Sequence, residues 1–513
     1  MTLIPKALLL CLGAIASSDN PPAESPRGWL AAGRAAVEKA ADLRPVTSPA
    51  RNVILFVGDG MGVSTVTAAR ILDGQRRGGR GEDNLLAFER LPYTALIKTY
   101  NTNQQTPDSA GTMTAMVTGA KTRAGYLAVD QNIVQDDFAA TGRHRLTTII
   151  ELAERAGLST GVVSTARITH ATPAACYAHA SVRDWECDAN LTPEARQAGF
   201  PDIARQLVEF NVGDGLEVAL GGGRSCFLPA GTADPEDPDV TGRRLDGRDL
   251  TREWLARPRS AYVWNDAQFK ALDVANVDHL LGLFDPSHMK FEHDRRRDTA
   301  GEPSLSEMTA KAIDLLSRSK TGYFLMVEGA RIDHAHHFTN AFRALTDTIA
   351  FAEAVQVAVD KTDCLDTLII VTADHSHVLT MGGYPTRGNP ILGKVVTNDG
   401  RGGARDGYAL DARGKPYTTL RYADGPGYVG DNGRPDLTDV DTQHPAYQQE
   451  TTVPLLMESH SGEDVPLYAG GPFAHLFRGV LEQNVIFHVM VAALGLERAV
   501  APPAAAGGNV GKR

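Results

Sequence analysis

The sequence lacks any long run of lysine or arginine, and its 62 acidic residues outnumber its 51 basic ones to give a net charge of −11. This balance excludes the basic surface with which nucleic-acid-binding proteins neutralise phosphates. Glycine and proline number 50 and 28 among 513 residues, below the roughly 25% that marks a low-complexity chain. Collagen-like and wholly disordered classes are therefore excluded, and any anionic substrate needs a local source of positive charge.

No apolar run reaches the roughly 20 residues that a membrane-spanning helix needs. The longest, Ala7 to Ala16, follows Lys6 and ends in an A-x-A-like site formed by Ala14 and Ala16. This pattern predicts a signal peptide over residues 1–18 and an exported, periplasmic or secreted, protein. The alternative is a buried N-terminal helix.

Cysteine is also scarce. Cys11 would leave with the signal peptide, so Cys176, Cys187, Cys226 and Cys364 remain. Export permits their oxidation, and four cysteines allow three pairings. A Cys176–Cys187 disulfide is favoured because it closes the shortest segment.

Continuous apolar runs separated by helical patterns predict an α/β fold, with a large, mostly parallel central sheet covered by helices on both faces. The runs are Asn52–Val57, Leu158–Val163, Val218–Gly221, Tyr323–Val327 and Thr367–Val371, and the helical patterns include Trp29–Leu43, Thr147–Ala156 and Leu305–Ser317. Residues 384–445, rich in Gly, Asp and Arg, predict an irregular insertion. The catalytic domain then comprises residues 19–383 and 446–498, and residues 499–513 form a disordered tail.

Three predicted strands each end in a carboxylate, at Asp59, Glu328 and Asp374. Ligands in such folds sit at the carboxyl ends of strands. Asp333 and His337 are spaced four residues apart, on one helix face, where one divalent ion could bridge them. Asp374 and His375 add oxygen and nitrogen ligands that suit zinc. Taken singly, the Gly58-Asp59-Gly60 segment is also an ordinary turn, and the histidines of residues 334–337 are also a solvated helix face.

Ser109, in the segment Thr106-Pro-Asp-Ser-Ala-Gly-Thr112, is a candidate nucleophile. The same serine could simply cap a helix. However, a helix N-terminus also binds phosphate, and a nearby metal would activate the hydroxyl.

Together these segments resemble the alkaline phosphatases, and the animal-type enzymes more than the shorter bacterial ones. The resemblance runs from about Gly28 to Leu496, and it is carried by Val53–Arg70, Asp108–Thr112, Thr169–Pro173, Arg183–Trp185, Val327–His337 and His460–Asp464. It implies a phosphate monoester hydrolase with a phosphoserine intermediate, two zinc ions and one magnesium.

The resemblance also assigns residues. Asp333, His337 and His460 would hold the first zinc, and Asp59, Asp374 and His375 the second, beside Ser109. Magnesium would be held by Asp59, Thr172 and Glu328. Arg183 would grip two phosphate oxygens, while His170 and His334 surround the third metal and leave its identity open.

Two further features follow from the resemblance. A calcium site would lie within residues 232–303, formed by the carboxylates of Glu236, Asp285 and Glu302 and the carbonyl of Phe284. A homodimer would bury the helix over residues 29–43 and the insertion, which corresponds to the crown of the animal-type enzymes. The animal-type cysteine pattern is not retained.

Alternatives with the same metals are a phosphodiesterase or a sulfatase. A sulfatase needs a C/S-x-P-x-R pattern, which Ala110-Gly-Thr112 does not supply after Ser109, and a diesterase does not need an arginine clamp on two free oxygens. A non-catalytic zinc-binding or phosphate-binding protein is the remaining alternative, although it would not require the serine.

Overall fold

The computed structural model describes residues 24–428, 430 and 433–497. The helices are α1 (Pro26–Asp42), α2 (Val63–Arg76), α3 (Ser109–Thr118), α4 (Thr141–His144), α5 (Ile149–Arg155), α6 (Ala171–Tyr177), α7 (Pro193–Gln197), α8 (Ile203–Val208), α9 (Leu250–Leu255), α10 (Asp266–Ala271), α11 (Glu292–Arg295), α12 (Leu305–Leu316), α13 (Arg331–His337), α14 (Ala341–Lys361) and α15 (Val485–Leu494). The strands are β1 (Asn52–Gly58), β2 (Tyr93–Lys98), β3 (Ser159–Arg167), β4 (Val218–Gly222), β5 (Ser260–Val263), β6 (His279–Leu283), β7 (Tyr323–Gly329), β8 (Thr367–Ala373), β9 (Ser376–His377), β10 (Leu379–Met381), β11 (Leu420–Tyr422), β12 (Asp424–Gly425), β13 (Val453–Pro454), β14 (His460–Ser461), β15 (Val465–Gly470) and β16 (Gly479–Glu482).

A ten-stranded sheet, in the order β16-β2-β15-β8-β1-β7-β3-β4-β6-β5, forms the centre of the molecule. Its neighbouring strands pair in parallel except at β15, which runs antiparallel to both β2 and β8. Because β8, β1 and β7 are adjacent and parallel, their carboxyl ends meet at one edge. The predicted α/β fold is confirmed.

The central strands are covered on both faces, since every residue of β1, β7 and β8 is buried. This is why their sequences are continuously apolar rather than alternating. Two groups of mutually packed helices supply the cover: α2, α12, α13 and α14 form one group, and α3, α5, α6 and α15 form the other. Within the part of the chain that the structure describes, no helix is both long and apolar enough to cross a membrane.

The structure tests the predictions for the termini, helix α1 and the insertion only in part. The predicted signal peptide and tail lie outside the described residues. Helix α1 is present, but none of its residues is buried within this chain. The predicted insertion is irregular and contains the short strand β11, whereas the boundaries of the two domains stay predictions.

The predicted Cys176–Cys187 disulfide is wrong, because both cysteines are free. Cys176 lies inside α6, where its thiol donates to the carbonyl of Thr172 at 3.7 Å. Cys187 precedes a 3-10 turn and donates to Oδ1 of Asn190 at 3.0 Å. The short sequence separation of the two cysteines gave no information about where their side chains point.

Candidate active site and metal centre

Three carboxylates meet where the central strands end. Asp59 and Asp374 directly follow β1 and β8, Glu328 is the penultimate residue of β7, and all three are fully buried. The register aligns these ends, since Gly58 lies opposite Gly329 and Ala373. The predicted convergence of the strand-end carboxylates is therefore present.

The turn after β1 requires glycine. Gly60 has φ +69°, and a Cβ there would lie 2.3 Å from Cδ2 of His377. Its N–H donates to Oδ1 of Asp374 at 3.0 Å. The glycine thus allows the backbone to approach two side chains of the site, which an ordinary surface turn does not require.

The buried oxygens at this edge lack hydrogen-bond partners among the described residues. They are both carboxylate oxygens of Asp59, Oδ2 of Asp374, Oε1 of Glu328 and Oγ1 of Thr172. Burial of acidic groups without compensation is expensive. Burial, followed by the charges of Asp333, Asp374 and Glu328, raises the pKa of Asp59 well above its usual range, and burial raises that of Glu328 to about 7. Bound cations would supply the compensation that the protein atoms do not.

The first ligand group contains Asp333, His337, His377 and His460. The Nε2 atoms of His337 and His460 lie 3.2 Å apart, and they are 3.3 and 3.4 Å from carboxylate oxygens of Asp333. The Nδ1 atoms face the backbone carbonyls of Glu458 at 2.6 Å and Pro107 at 2.8 Å. If each Nδ1 carries the proton that these carbonyls accept, each Nε2 lone pair is free to bind a metal.

The sequence reading did not include His377 and Glu458 among the site residues. His377 Nε2 is 2.7 Å from Oδ1 of Asp333, and its Nδ1 contacts the carboxylate of Glu458. Glu458 therefore orients His377, which in turn holds Asp333. The available signal was the Asp374-His375-Ser376-His377 segment, in which a second histidine follows His375 by two residues.

The second ligand group brings Asp59, Asp333 and His375 together. His375 Nε2 lies 3.3 Å from Oδ1 of Asp59 and 3.3 Å from Oδ2 of Asp374. Asp59 and Asp374 thus both lie beside His375, although Asp374 is not a member of the close group. Asp333, which is 4.0 Å from the same nitrogen, lies between the two groups.

The third group contains Asp59, His170 and Glu328. Thr172, on the first turn of α6, contributes the unpartnered hydroxyl described above. His170 Nε2 also faces Nη2 of Arg183 at 3.1 Å. Burial, and next the charge of Arg183, lowers the pKa of His170 well below its usual range, so this imidazole is neutral.

His334 lies farther from the carboxylates. Its ring centroid is 5.6 Å from that of His170 and 4.2 Å from that of His288. His288, which the sequence reading did not single out, is also 2.5 Å from Nη1 of Arg167. His334 and His288 therefore pack beside His170 and are not themselves members of the third group.

Ser109 begins α3, and Asp108, not Ser109, is the N-cap: its side chain accepts from the N–H of Gly111 at 3.1 Å. The serine hydroxyl is thus not needed for capping, and its Oγ lies 3.3 Å from Nε2 of His375. The structure therefore places the candidate nucleophile beside the second ligand group, at a helix N-terminus with free N–H groups.

Arg183 is held from two sides. Its Nη1 donates to Oδ2 of Asp108 at 3.0 Å, and its Nη2 faces His170. Its backbone N–H donates to the carbonyl of Gly125 at 2.9 Å. A partly exposed guanidinium fixed in this way is suited to bidentate binding of an oxyanion.

The predicted calcium ligands lie elsewhere, after β6 and in the loops around it. They do not form a close ligand group among the described residues; instead, Glu236 is 2.9 Å from Nη2 of Arg224, and Asp285 is 2.7 Å from Nζ of Lys290. The carbonyl of Phe284 directly precedes Asp285. Glu302 accepts from the N–H of Lys290 at 2.9 Å, but its Oε1 is buried without a partner in the described chain.

A further carboxylate, Asp298, joins this region. Its carboxylate is close enough to that of Glu236 to raise the pKa of Glu236, and it lies 3.9 Å from Nζ of Lys290. Burial raises the pKa of Glu302 to about 8 and that of Glu236 to about 7. The acidic groups therefore exceed the positive charge available to them.

Comparison with known proteins agrees with the geometry. The family model for alkaline phosphatase matches residues 50–496. The tissue-nonspecific alkaline phosphatase of Gallus gallus is 47% identical over 460 residues, which cover 88% of this chain and 86% of that protein. The Homo sapiens enzyme of the same name is 42% identical over 521 residues, covering 99% and 97%.

Among solved structures, the alkaline phosphatase of Thermus thermophilus superimposes with a TM-score of 0.61 at 26% identity, covering 88% of this chain and 93% of that one. The family match spans every predicted zinc and magnesium ligand. The chain belongs to the alkaline phosphatase family and is a metal-dependent phosphoric monoester hydrolase.

Proposed function

We propose that Ser109 is the nucleophile and that hydrolysis passes through a phosphoserine. The observation that carries this proposal is the position of its Oγ, 3.3 Å from Nε2 of His375, beside buried carboxylate oxygens that have no hydrogen-bond partner in the described part of the chain. A serine hydroxyl needs activation to attack phosphorus, and a cation held by these oxygens would lower its pKa.

In the first step, the Ser109 hydroxyl gives its proton to solvent and Oγ forms a bond to phosphorus while the bond to the leaving oxygen breaks; that oxygen takes the electron pair and a proton from solvent. In the second step, water attacks the phosphoserine and loses a proton to solvent, Oγ departs with the electron pair of its bond to phosphorus and takes up a proton, and phosphate is released. Arg183 holds two non-bridging oxygens throughout. Because the reaction spreads negative charge over the phosphoryl group, positioning and charge stabilisation carry most of the catalysis.

Two zinc ions and one magnesium ion are the cofactors we propose. Asp333, His337 and His460 would hold the first zinc, and Asp59, Asp374 and His375 the second. Asp59, Thr172 and Glu328 would hold magnesium, with His170 and His334 beside it. When bound, these ions supply Lewis-acid charge that acidifies the serine and the attacking water and stabilises the leaving oxygen. Their oxygen and nitrogen donors suit the assignments.

We also propose a calcium ion held by Glu236, Asp285, Glu302 and the carbonyl of Phe284. The unpartnered Oε1 of Glu302 and the excess of carboxylates support it. Calcium accepts irregular sets of six to eight oxygens. Its binding would displace Lys290 from Asp285.

The proposed assembly is a homodimer of an exported chain. Helix α1 buries no residue within one chain, while its Trp29, Leu30 and Val37 are 52%, 63% and 69% exposed. A second copy is the partner that would cover this apolar surface. Export follows from the sequence pattern before residue 19.

The Ser109→Ala variant tests the nucleophile. Its turnover of 4-nitrophenyl phosphate should fall by several orders of magnitude while zinc and magnesium contents stay at the wild-type level, because the serine is not the main ligand of any ion. Ser317→Ala, at the exposed serine that follows α12, is the control and should keep full activity. Acid quenching of the wild type with phosphate should trap the modification on Ser109, and phosphate trapped on another residue would refute the role.

Assays of the wild-type enzyme on three substrates distinguish the proposed activity from a phosphodiesterase or a sulfatase. Bis(4-nitrophenyl) phosphate and 4-nitrophenyl sulfate should be hydrolysed far more slowly than the monoester between pH 7 and 10. A kcat/KM for the diester or sulfate above that for the monoester would favour a diesterase or a sulfatase.

A further inference from the structure

Two cysteines that the proposed function does not use meet in the core. Cys187 and Cys226 are both free and fully buried. Their side chains are in hydrogen-bond contact with each other. Cys187 comes just before the 3-10 turn Asp188–Asn190, and Cys226 ends the 3-10 turn Arg224–Cys226.

Neighbouring hydrogen bonds hold these two turns together through a third segment. Arg243 donates its backbone N–H to the carbonyl of Ser225 at 2.8 Å. Its Nη2 donates to Oδ1 of Asn190 at 3.2 Å, the same oxygen that accepts from the Cys187 thiol. The N–H of Leu245 donates to Asp188 at 3.0 Å. Residues 243–245 thus hydrogen-bond to the turn that follows Cys187 and to the turn that contains Cys226, and these contacts keep the two sulfurs close together.

Arg244 strengthens the same junction. Its guanidinium donates to the carbonyl of Cys226 at 3.3 Å and to both carboxylate oxygens of Asp202. Asp188, Asp202 and Asp246 form a close acidic group, but Arg244 pairs with two of its three carboxylates. Arg244 thus neutralises this acidic group, which needs no metal ion. The contact between the two thiols has no such role in the structure described so far.

We propose that Cys187 and Cys226 form a disulfide in the mature protein, made by thiol–disulfide exchange before the core closes. The Cys187 thiolate attacks a small-molecule disulfide such as oxidised glutathione, and one thiolate of that oxidant leaves. The Cys226 thiolate then attacks the Cys187 sulfur and releases the second thiolate. The two cysteine sulfurs lose two electrons to the oxidant, and their two protons end on its thiols.

The bond would join two functional regions. Cys187 lies four residues after Arg183, the proposed phosphate clamp, and Cys226 lies two residues after Arg224, which pairs with Glu236 of the proposed calcium region. It would therefore link the oxyanion-binding segment covalently to the calcium-binding one.

Mass spectrometry of the full-length protein tests the proposal. The chain is refolded with its metals in a glutathione redox buffer, free thiols are blocked with N-ethylmaleimide in denaturant, and trypsin is applied without reductant. We expect peptide 184–196 linked to peptide 225–243, with Cys176 in peptide 168–183 carrying the blocking group. Blocked thiols on both Cys187 and Cys226 after this treatment would overturn the proposal, and so would a bond from either of them to Cys176.

Thermal unfolding provides a second measurement. Cys187→Ser, Cys226→Ser and the double variant should each lower Tm by the same few degrees, because any one change breaks the single bond. Cys176→Ser is the matched control and should retain the linked peptides. A double variant whose Tm loss is the sum of the two single losses would indicate packing contributions instead of a shared bond.

Discussion

At the level of single residues, the guanidinium of Arg183, the proposed phosphate clamp, is held in one orientation by its neighbours. Asp108 and His170 each occupy one of its terminal nitrogens, so the guanidinium is oriented before substrate arrives. Such preorganisation lowers the entropy cost of binding an oxyanion.

The Arg183→Ala variant should therefore bind substrate and inorganic phosphate more weakly to a similar degree. We expect KM and the phosphate inhibition constant to rise by about 10- to 100-fold, the worth of charge-assisted hydrogen bonds, with a smaller fall in kcat. Arg183→Lys should recover only part of the affinity. Steady-state kinetics with phosphate as inhibitor measures both constants, and an unchanged inhibition constant would contradict the clamp.

A second feature at the scale of single residues is the buried carboxyl group of Glu154, which lies near the N-terminal end of β3. Glu154 is buried, Oγ1 of Thr160 donates to its Oε1 at 2.5 Å, and its Oε2 lacks a partner among the described residues. Burial, and next the charge of Glu217, raises its pKa from 4.5 to about 9. The folded protein thus keeps a proton that the unfolded chain has already released.

Stability should consequently fall as the pH rises from about 4.5 to about 9, since the unfolded state binds fewer protons over this range. Glu154→Gln retains the hydrogen bond from Thr160 and removes the titration. We expect it to be more stable than the wild type at pH 9 by on the order of 2 kcal/mol, with a smaller difference near pH 5. Denaturant unfolding at both pH values measures this. The exposed Glu194→Gln is the control, and equal effects of Glu154→Gln at the two pH values would contradict the assignment.

At the level of elements, the buried parallel strands were predictable because they are continuous apolar runs. Strand β15 was not, because its sequence Val-Pro-Leu-Tyr-Ala-Gly contains proline and glycine and has no clear period. The strand-end carboxylates were predictable for the same reason as the strands. The roles of His377 and Glu458 were not, because they depend on contacts between segments far apart in sequence.

Helix α1 has no buried residue within the described chain, and the proposed dimer would cover its apolar side. The double variant Leu30→Glu/Val37→Glu places charges on its exposed apolar side and should shift the proposed dimer towards a monomer of half its mass. Ala35→Glu, on another side of the helix, is the control. Light scattering at micromolar concentration distinguishes the states, and a monomeric wild type would contradict the proposed assembly.

At the level of the whole molecule, the proposed calcium ion would act on stability and not on the reaction. After selective calcium removal, millimolar calcium should raise the Tm of the wild type; a concentration 100 times the Kd corresponds to about 2.7 kcal/mol. Glu236→Ala should lose most of this rise and nearly retain kcat. The exposed Asp239→Ala is the matched control, and a wild-type Tm that ignores calcium would show that no site is formed.

The short pairing of β14 with β9 sets His460 opposite His377, and this has a consequence for how the enzyme is made. A ribosome delivers Asp59 and Ser109 early and His460 late, roughly 20 to 80 seconds apart at 5–20 residues per second. Throughout that interval the nascent chain carries the proposed nucleophile without the complete set of ligands proposed for the first zinc. On the proposed assignment, the site is therefore complete only in the last tenth of translation, and a message truncated before His460 would yield a polypeptide that lacks one proposed ligand of the first zinc.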